Sequence, residues 1–427
     1  MKNVLDKLRN VFQDPVLRKK ILFTFGLFFV FRVFAFLPIP VVDLVRLRSL
    51  FSQNQFLSLL DIFSGGTLIN FSVMALGLSP FINASIIIQL LTSVIPNLEA
   101  LTKEGEHGRA KLNQYTRFLT VPITLVQSIG IYVLLQNQKV ISPLNFIQFI
   151  SFIVTMMAGT MILVWFGELI SEFGIGNGIS LLIFTGIVAR IPVVFTQTAL
   201  TITPEFMINF LMVAILGVVV VGGVVFINEA VRKIPIYYAK RIKGNRIYQG
   251  ASNFLPLKLN QTGMIPIIFA ISFVLFPQLV GSFLTYVKNP ALASIGKFLT
   301  SVFNPNGFFY NFFYFILVVG FTFFYTMVVF NPEKISEEIQ KHGGFIPGIR
   351  PGSATKEYLE KILYRLTVVG AFFLGSIAIL PAIVSSVTGI KNIIIGGAGI
   401  LIVVSVVLET FKQIEAQMVM KSYDKFL

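Results

Sequence analysis

The sequence predicts an all-α polytopic membrane protein with ten transmembrane helices in two inverted five-helix halves. Three observations carry this. The 427 residues are 55% hydrophobic and only 12% charged, and a soluble domain carries about twice that charged share. Apolar runs of ~20 residues with few or no charges, long enough to cross a bilayer, recur along the whole chain. Lysine and arginine gather in alternate connecting segments, as they do in the cytoplasmic loops of membrane proteins.

The N-terminal MKNVLDKLRNVFQDPVLRKK is basic and partly amphipathic. No small-residue cleavage site follows the first apolar run, so that run is read as a retained span and not as a signal peptide. Charged residues then divide the chain into ten spans, at about 21–38, 70–95, 118–136, 146–167, 178–197, 206–228, 262–283, 308–330, 366–386 and 391–409. An even number puts both termini on one side. With the termini inside, the cytoplasmic segments collect Lys2 to Lys20, Lys103 to Arg117, Arg232 to Lys258, Lys334 to Arg365 and Lys412 to Lys425. Only Arg46, Arg48, Lys139, Lys288, Lys297 and Lys391 fall outside. Both termini are therefore expected in the cytoplasm. The segment from Glu168 to Asn177 has two glutamates and no base, but acidic residues count little in this rule. The net charge of +15 is explained the same way and needs no nucleic acid. Cysteine is absent, which excludes disulfides and thiol chemistry.

Five spans per half force the second half to run inverted, an arrangement in which halves commonly meet at a midplane site. The halves are 1–197 and 198–427, with no convincing sequence self-similarity between them.

Chemistry inside a bilayer needs ionisable groups there, and they are costly enough to stand out. Both histidines, His107 and His342, fall in loops, and none of the aspartates is near the middle of a span. Arg32 lies near the outer end of the first span and Arg190 toward the end of the fifth. Each can snorkel to the interface or pair with a neighbouring helix. A Ser/His pair, a buried Asp pair or a zinc site for an intramembrane protease cannot be assembled, nor a midplane carboxylate for an ion-coupled carrier. The chain reads as a non-enzyme without metal or cofactor.

One span is broken. LDIFSGGTLINFSVMALGLSPFINASIIIQLL, Leu60 to Leu91, has no charge after Asp61 but carries a Gly-Gly pair and a Gly-Leu-Ser-Pro step. Gly77 and Pro80 are expected to bend it, since proline lacks an N–H and clashes with the preceding turn. Ser64 to Phe71 is then a half-helix too short to cross alone, and irregular backbone at membrane depth must lie inside protein or beside a water-filled cavity. Leu78 and Ile82 stand four apart, as do Ile179 and Ile183 after the glycine-rich GIGNGISLLIF. Alone, such pairs read as core packing; Asn83, Gln89, Thr92, Gln127 and Asn177 read equally as interhelical hydrogen bonds.

Two long cytoplasmic segments, about 229–261 and 331–365, interleave bases with tyrosine and frame Arg350 in PGIRPG. They serve either as positive-inside anchors or as a docking surface suited to ribosomal RNA or acidic protein.

FSGG, LGLSPFINASIIIQLL, KEGEHGRAKLNQYTR, WFGELISEFGIGNGIS, YAKRIKGNRIY, LPLKLNQTGMIPIIFA, FYTMVVFNP and GGFIPGIRPG occur in order. In these stretches, and over essentially its whole length, the chain resembles the SecY family, the central subunits of the bacterial Sec protein-translocation channel. The resemblance implies two five-helix halves around a central hourglass pore in the bacterial cytoplasmic membrane. It implies a plug at about 56–70, including Ser64, Gly65, Gly66 and, just beyond, Phe71. It implies an apolar pore ring of Leu78, Ile82, Ile179, Ile183, Ile268 and Ile402, in which Leu78 replaces the usual isoleucine. A lateral gate would involve Asn83, Gln89, Thr92, Gln127 and Phe276, with Asn83 standing where serine is usual. Lys240, Arg241, Arg246 and Arg350 would dock the SecA motor or the translating ribosome. Implied partners are SecE, SecG, SecA, the ribosome, signal sequences with their preproteins, and lipid. No Gly-x-x-x-x-Gly-Lys-Ser/Thr loop is present, so nucleotide hydrolysis would come from a partner. The competing class is a ten-span carrier of a small apolar or amphipathic solute. It is disfavoured by the lack of midplane ionisable groups and by the size of the cytoplasmic loops.

Overall fold

The computed structural model describes residues 14–424 apart from 41, 54–56, 58–60, 62–63, 202–206, 239–240, 244–245, 249–251, 286, 288, 306 and 389–396. A helix falls within or across each of the ten expected spans: α1 (Pro15–Ala35), α3 (Ser79–Val94), α5 (Glu106–Asn137), α6 (Phe146–Phe173), α7 (Gly178–Thr201), α8 (Met207–Glu229), α9 (Ile265–Leu284), α11 (Phe308–Val329), α13 (Ser353–Thr388) and α14 (Gly397–Asp424). Shorter helices between them are α2 (Leu44–Gln53), α4 (Pro96–Lys103), α10 (Pro290–Val302) and α12 (Pro332–Lys341). Among the described residues, six helices are by themselves long and apolar enough to cross a membrane, or seven if the bent pair α3 and α4 counts as one span. The protein is a multi-pass membrane protein.

The chain divides into two compact units: 1–207 with 272–310 and 392–427, and 208–271 with 311–391. In the first unit α3 packs along α5, α5 on α6, α6 on α7, and α1 and α14 on α6 and α7 respectively. Asp14 caps α1 by accepting the Val16 N–H (2.9 Å), with Pro15 in the first turn. Phe25, Phe29, Val33 and Phe36 leave an exposed apolar face on α1 that suits lipid. On α5, Thr116, Thr120, Thr124 and Ser128 are buried, and each hydroxyl donates to the carbonyl four residues earlier. These small side chains allow close helix approach without an unsatisfied polar atom.

Two expectations about span two are corrected. Ser64 to Phe71 is not a half-helix but a series of turns. Gly65, Gly66 and Gly77 have φ of +79°, +78° and +58°, left-handed values that glycine tolerates and that prevent a continuous helix. Pro80 does not bend a helix either. It occupies the first turn of α3, where its missing N–H costs nothing. The sharp bend comes later, at Ile95, where α3 and α4 meet at 105°.

α5 and α13 begin at Glu106 and Ser353, about three turns before the expected spans. Each helix continues from its apolar stretch into polar connecting sequence, which apolarity alone could not reveal.

The second unit adds a small sheet to an otherwise helical chain. β1 (Val231–Tyr238) pairs antiparallel with β4 (Ser252–Lys258), from Val231↔Lys258 to Tyr237↔Ser252. β5 (Gly344–Phe345) joins the other edge of β1 at Tyr237 and Tyr238, beyond Pro235, which has no N–H to give. Between β1 and β4, β2 (Arg241–Lys243) and β3 (Arg246–Tyr248) form a separate two-stranded ribbon. Beneath the sheet Ile234, Leu257, Ile346, Leu359 and Ile362 form a buried cluster that ties the hairpin to α13. Leu257 is 0% exposed. Leu257→Ala is expected to cost ~2–5 kcal/mol, read as a lower thermal midpoint and earlier proteolysis of the 229–262 segment. An unchanged midpoint would mean the cluster does not hold the hairpin.

Candidate functional site

The stretch from Asp61 to Leu78 is built around one carboxylate. Asp61 Oδ1 accepts the Ile69 N–H (2.8 Å), and the Asp61 carbonyl accepts the Gly66 N–H (2.8 Å) and the Ser64 Oγ–H (3.0 Å). Thr67 Oγ1 donates to the Ser64 carbonyl (2.8 Å), and the Leu68 N–H donates to Ser64 Oγ (3.3 Å). Most backbone groups of a segment at membrane depth must be satisfied in this way.

Glycines let the segment lie against its neighbours. A Cβ on Gly186 of α7 would stand 2.4 Å from the Gly65 Cα, so the two backbones touch directly. A Cβ on Gly159 of α6 would stand 1.9 Å from the Val73 carbonyl oxygen. At the far end Phe71 takes φ +42° and is completely buried, with its ring stacked on Phe152 (centroids 5.9 Å). Its carbonyl accepts the Ile39 N–H (3.0 Å), tying the segment to the chain just after α1.

Two arginines also reach this segment. Arg190 of α7 forms an ion pair with Asp61 Oδ2. Arg32 of α1 donates from Nη1 to the Gly65 carbonyl (3.2 Å), with its guanidinium 5.2 Å from the Phe36 ring centroid. Of the two readings open for Arg190, snorkelling and pairing, the structure selects pairing. Sequence reasoning missed the partner. The available signal was one acid and two bases in otherwise uncharged stretches, but their meeting spans more than a hundred residues of chain.

The candidate ring residues of the first unit gather in part. Leu78 and Ile183 line one small cavity with Phe31, Ser64, Gly65, Gly77, Leu163 and Leu182. Ile82, one turn further along α3, donates its N–H to the Leu78 carbonyl (2.9 Å) and is buried. Ile179 is half-buried and lies over α6, where a Cβ on Gly167 would meet its Cδ1 at 2.4 Å. Ile402 is fully buried in α14. Ile268 is buried in the second unit.

Among the candidate gate residues, Gln89 donates to Ser85 Oγ (3.0 Å) and its carbonyl accepts the Thr92 hydroxyl (2.7 Å). Gln89 Oε1 is buried without a hydrogen-bond partner among the described residues, and such an orphan is costly. Asn83 and Gln127 are half-buried, and Phe276 is 63% exposed.

Of the candidate docking residues, Lys240 lies outside the described residues, while Arg241 and Arg246 begin β2 and β3. Arg350 is exposed on a braced loop. Ile346 anchors the loop in the cluster under the sheet, Ser336 Oγ donates to the Gly352 carbonyl (2.8 Å), and Thr355 Oγ1 donates to the Arg350 carbonyl (3.0 Å). Gly348 and Gly352 take φ of +78° and +98° to turn it. Among the described residues no three His, Asp or Glu side chains gather where they could hold a metal ion.

The small cavity that Leu78 and Ile183 line is almost wholly apolar and lies beside a segment held by turns and one ion pair, so it offers no polar group that would bind a particular solute. Comparison with known proteins agrees with a channel architecture. The SecY family profile matches residues 72–411. The protein translocase subunit SecY of Streptomyces scabiei is 41% identical over 445 residues, covering 99% of this chain and 100% of that protein. A solved SecY structure, whose plug domain is described as stabilising the closed state of its translocation channel, superposes with a TM-score of 0.66 at 20% identity, over 94% of this chain and 92% of the other. Sec61 from the canine ribosome–channel complex of the endoplasmic reticulum gives a TM-score of 0.60 at 21% identity, over 94% and 93% of the two chains. Apolar helices along the whole chain, a glycine-turned segment before Ser79 and full-length similarity lead to one assignment: the chain belongs to the SecY family.

Proposed function

We propose that this chain is the protein-conducting subunit of a bacterial Sec translocase. It passes unfolded preproteins across the cytoplasmic membrane and releases membrane proteins sideways into lipid. The observation that carries this reading is the apolar site at Leu78 and Ile183, closed on one side by the turn-built segment around Ser64 and Gly65. A conduit for unfolded chains must accept side chains of every chemistry yet stay dry when empty. Buried aliphatic residues meet both demands.

In this reading both termini are cytoplasmic, the halves are 1–197 and 198–427, and 56–70 is the plug. The ring is Leu78, Ile82, Ile179, Ile183, Ile268 and Ile402. The gate is Asn83, Gln89, Thr92, Gln127 and Phe276, with the orphaned Gln89 Oε1 as a polar group that a rearrangement can satisfy. Lys240, Arg241, Arg246 and Arg350 face a cytoplasmic partner, either SecA or a ribosome, and the ribosome-bound Sec61 of like fold supports the second. SecE and SecG complete the membrane complex, and the energy comes from SecA or from translation.

The test is reconstitution into liposomes with SecE, SecA and ATP, scoring protease protection of a secretory preprotein. Protection that requires ATP and a signal sequence supports the reading. Its absence in vesicles that bind SecA would remove it. Deleting 64–71 should raise transient ion conductance in planar bilayers while translocation persists, because the deletion removes a stopper and leaves the ring. Complete loss of translocation would instead make the segment structural.

A further inference from the structure

We propose that Asp61 and Arg190 form the latch that seats the plug, so that their ion pair sets how readily a signal sequence opens the channel. The proposal rests on the reading of 56–70 as the plug and adds the residues that hold it.

Asp61 is 0% exposed, and a buried charge in an apolar setting is tolerated only when paired. Its two oxygens do different work. Oδ1 accepts the Ile69 N–H and organises the turn; Oδ2 pairs with Arg190 and joins that turn to α7. The Asp61 carbonyl binds Gly66 and Ser64 and its Oδ1 binds Ile69, so moving Asp61 away from Arg190 pulls on the turns from Ser64 to Ile69. Gly66 makes room for the partner, since a Cβ there would meet Arg190 Cγ and Cδ at 3.3 Å. On the opposite helix Arg32 holds the Gly65 carbonyl, and a guanidinium thus grips the segment from α1 and another from α7.

An ion pair suits a latch better than more apolar contact. Displacement of the plug exposes both charges to water, which repays part of the lost attraction, and return restores the same pair in the same register. The Arg190 side chain is 24% exposed, so the pair is not sealed at that end. Removing one partner is a different matter, because the other is then buried uncompensated whenever the plug is seated. Removing both charges leaves no such penalty.

The chain has no cysteine, so Asn70→Cys, at a half-buried plug position whose side chain makes none of the bonds described above, supplies a unique thiol. In the reconstituted complex with SecE, the probe is a membrane-impermeant maleimide applied from the outer side. Asp61→Asn and Arg190→Gln should each raise the labelling rate about tenfold, and the double neutral variant, which has lost the pair but buries no lone charge, should label about threefold faster than the parent and more slowly than either single. The same single variants should translocate a preprotein with a defective signal sequence that the parent rejects. Singles labelling at the parental rate, or a double labelling as fast as the singles, overturns the latch. If a single variant fails to accumulate, Arg190→Lys takes its place. It keeps the charge but loses the forked guanidinium, and about a threefold rise is expected; parental labelling there also overturns the proposal. Failure of the parent to translocate a normal preprotein would count against the channel reading, while labelling still reports on the latch.

Discussion

Arg350→Glu is expected to abolish SecA-driven secretion while insertion of membrane proteins continues. The loop that carries Arg350 is held from below by Ile346 in the buried cluster and from the side by the bonds from Ser336 and Thr355. Those bonds use backbone carbonyls, so the Arg350 side chain is exposed and free of any role in folding the loop. Reversing its charge leaves the fold intact and places an acid where a partner's acid would dock. Losing one partner of a close charge pair at an interface costs ~2–5 kcal/mol, which is a fall of about 30-fold or more in affinity. The check is ATP-dependent translocation in vesicles beside insertion of a membrane protein in the same vesicles, with the thermal midpoint as the control for folding. Secretion at the parental rate would place the docking surface elsewhere. Loss of both activities together with a lower midpoint would mean that Arg350 braces the loop after all.

The second large effect is at the ring. Ile82→Asn should raise the resting ion conductance of the reconstituted channel about tenfold or more, because a constriction that holds a water no longer dewets. Ile82 is buried one turn from Leu78, which lines the cavity shared with Ile183 and the plug segment. An amide placed there without a partner costs ~1–3 kcal/mol, and the cheapest remedy is to admit water. Signal-sequence selectivity should relax in parallel, since a wetted ring makes the closed state less stable. Ile82→Leu, of equal volume and apolarity, should stay close to the parent. Unchanged conductance for the asparagine variant in planar bilayers would remove Ile82 from the seal.

The sequence was most informative where the bilayer dictates the answer. Hydropathy located a helix at each of the ten spans, since a chain crossing lipid has few ways to satisfy its backbone. It was least informative at the boundaries. Glu106 and Ser353 begin helices that run far into polar sequence, where apolarity carries no signal. The β1–β4 hairpin carries no clear strand signal, because prolines and scattered bases obscure its alternation. At the broken span the glycines and the proline are visible, but local pattern does not say what each does. Gly65 and Gly66 make turns where a half-helix is expected, Gly77 turns the chain as expected, and Pro80 starts a helix where a bend is expected.

By itself the sequence determined multi-pass membrane residence, where the apolar helices fall along the chain, the clustering of positive charge and the family. These follow from composition and from motifs read within one stretch at a time, where solvation of each residue type decides the outcome. Only the tertiary structure decided what Asp61 does. Its carboxylate is stable where it lies because Arg190, more than a hundred residues away, is brought within contact by Gly65 meeting Gly186. Pairing of buried charges depends on which helices touch and how closely, and no local pattern in the chain records that distance.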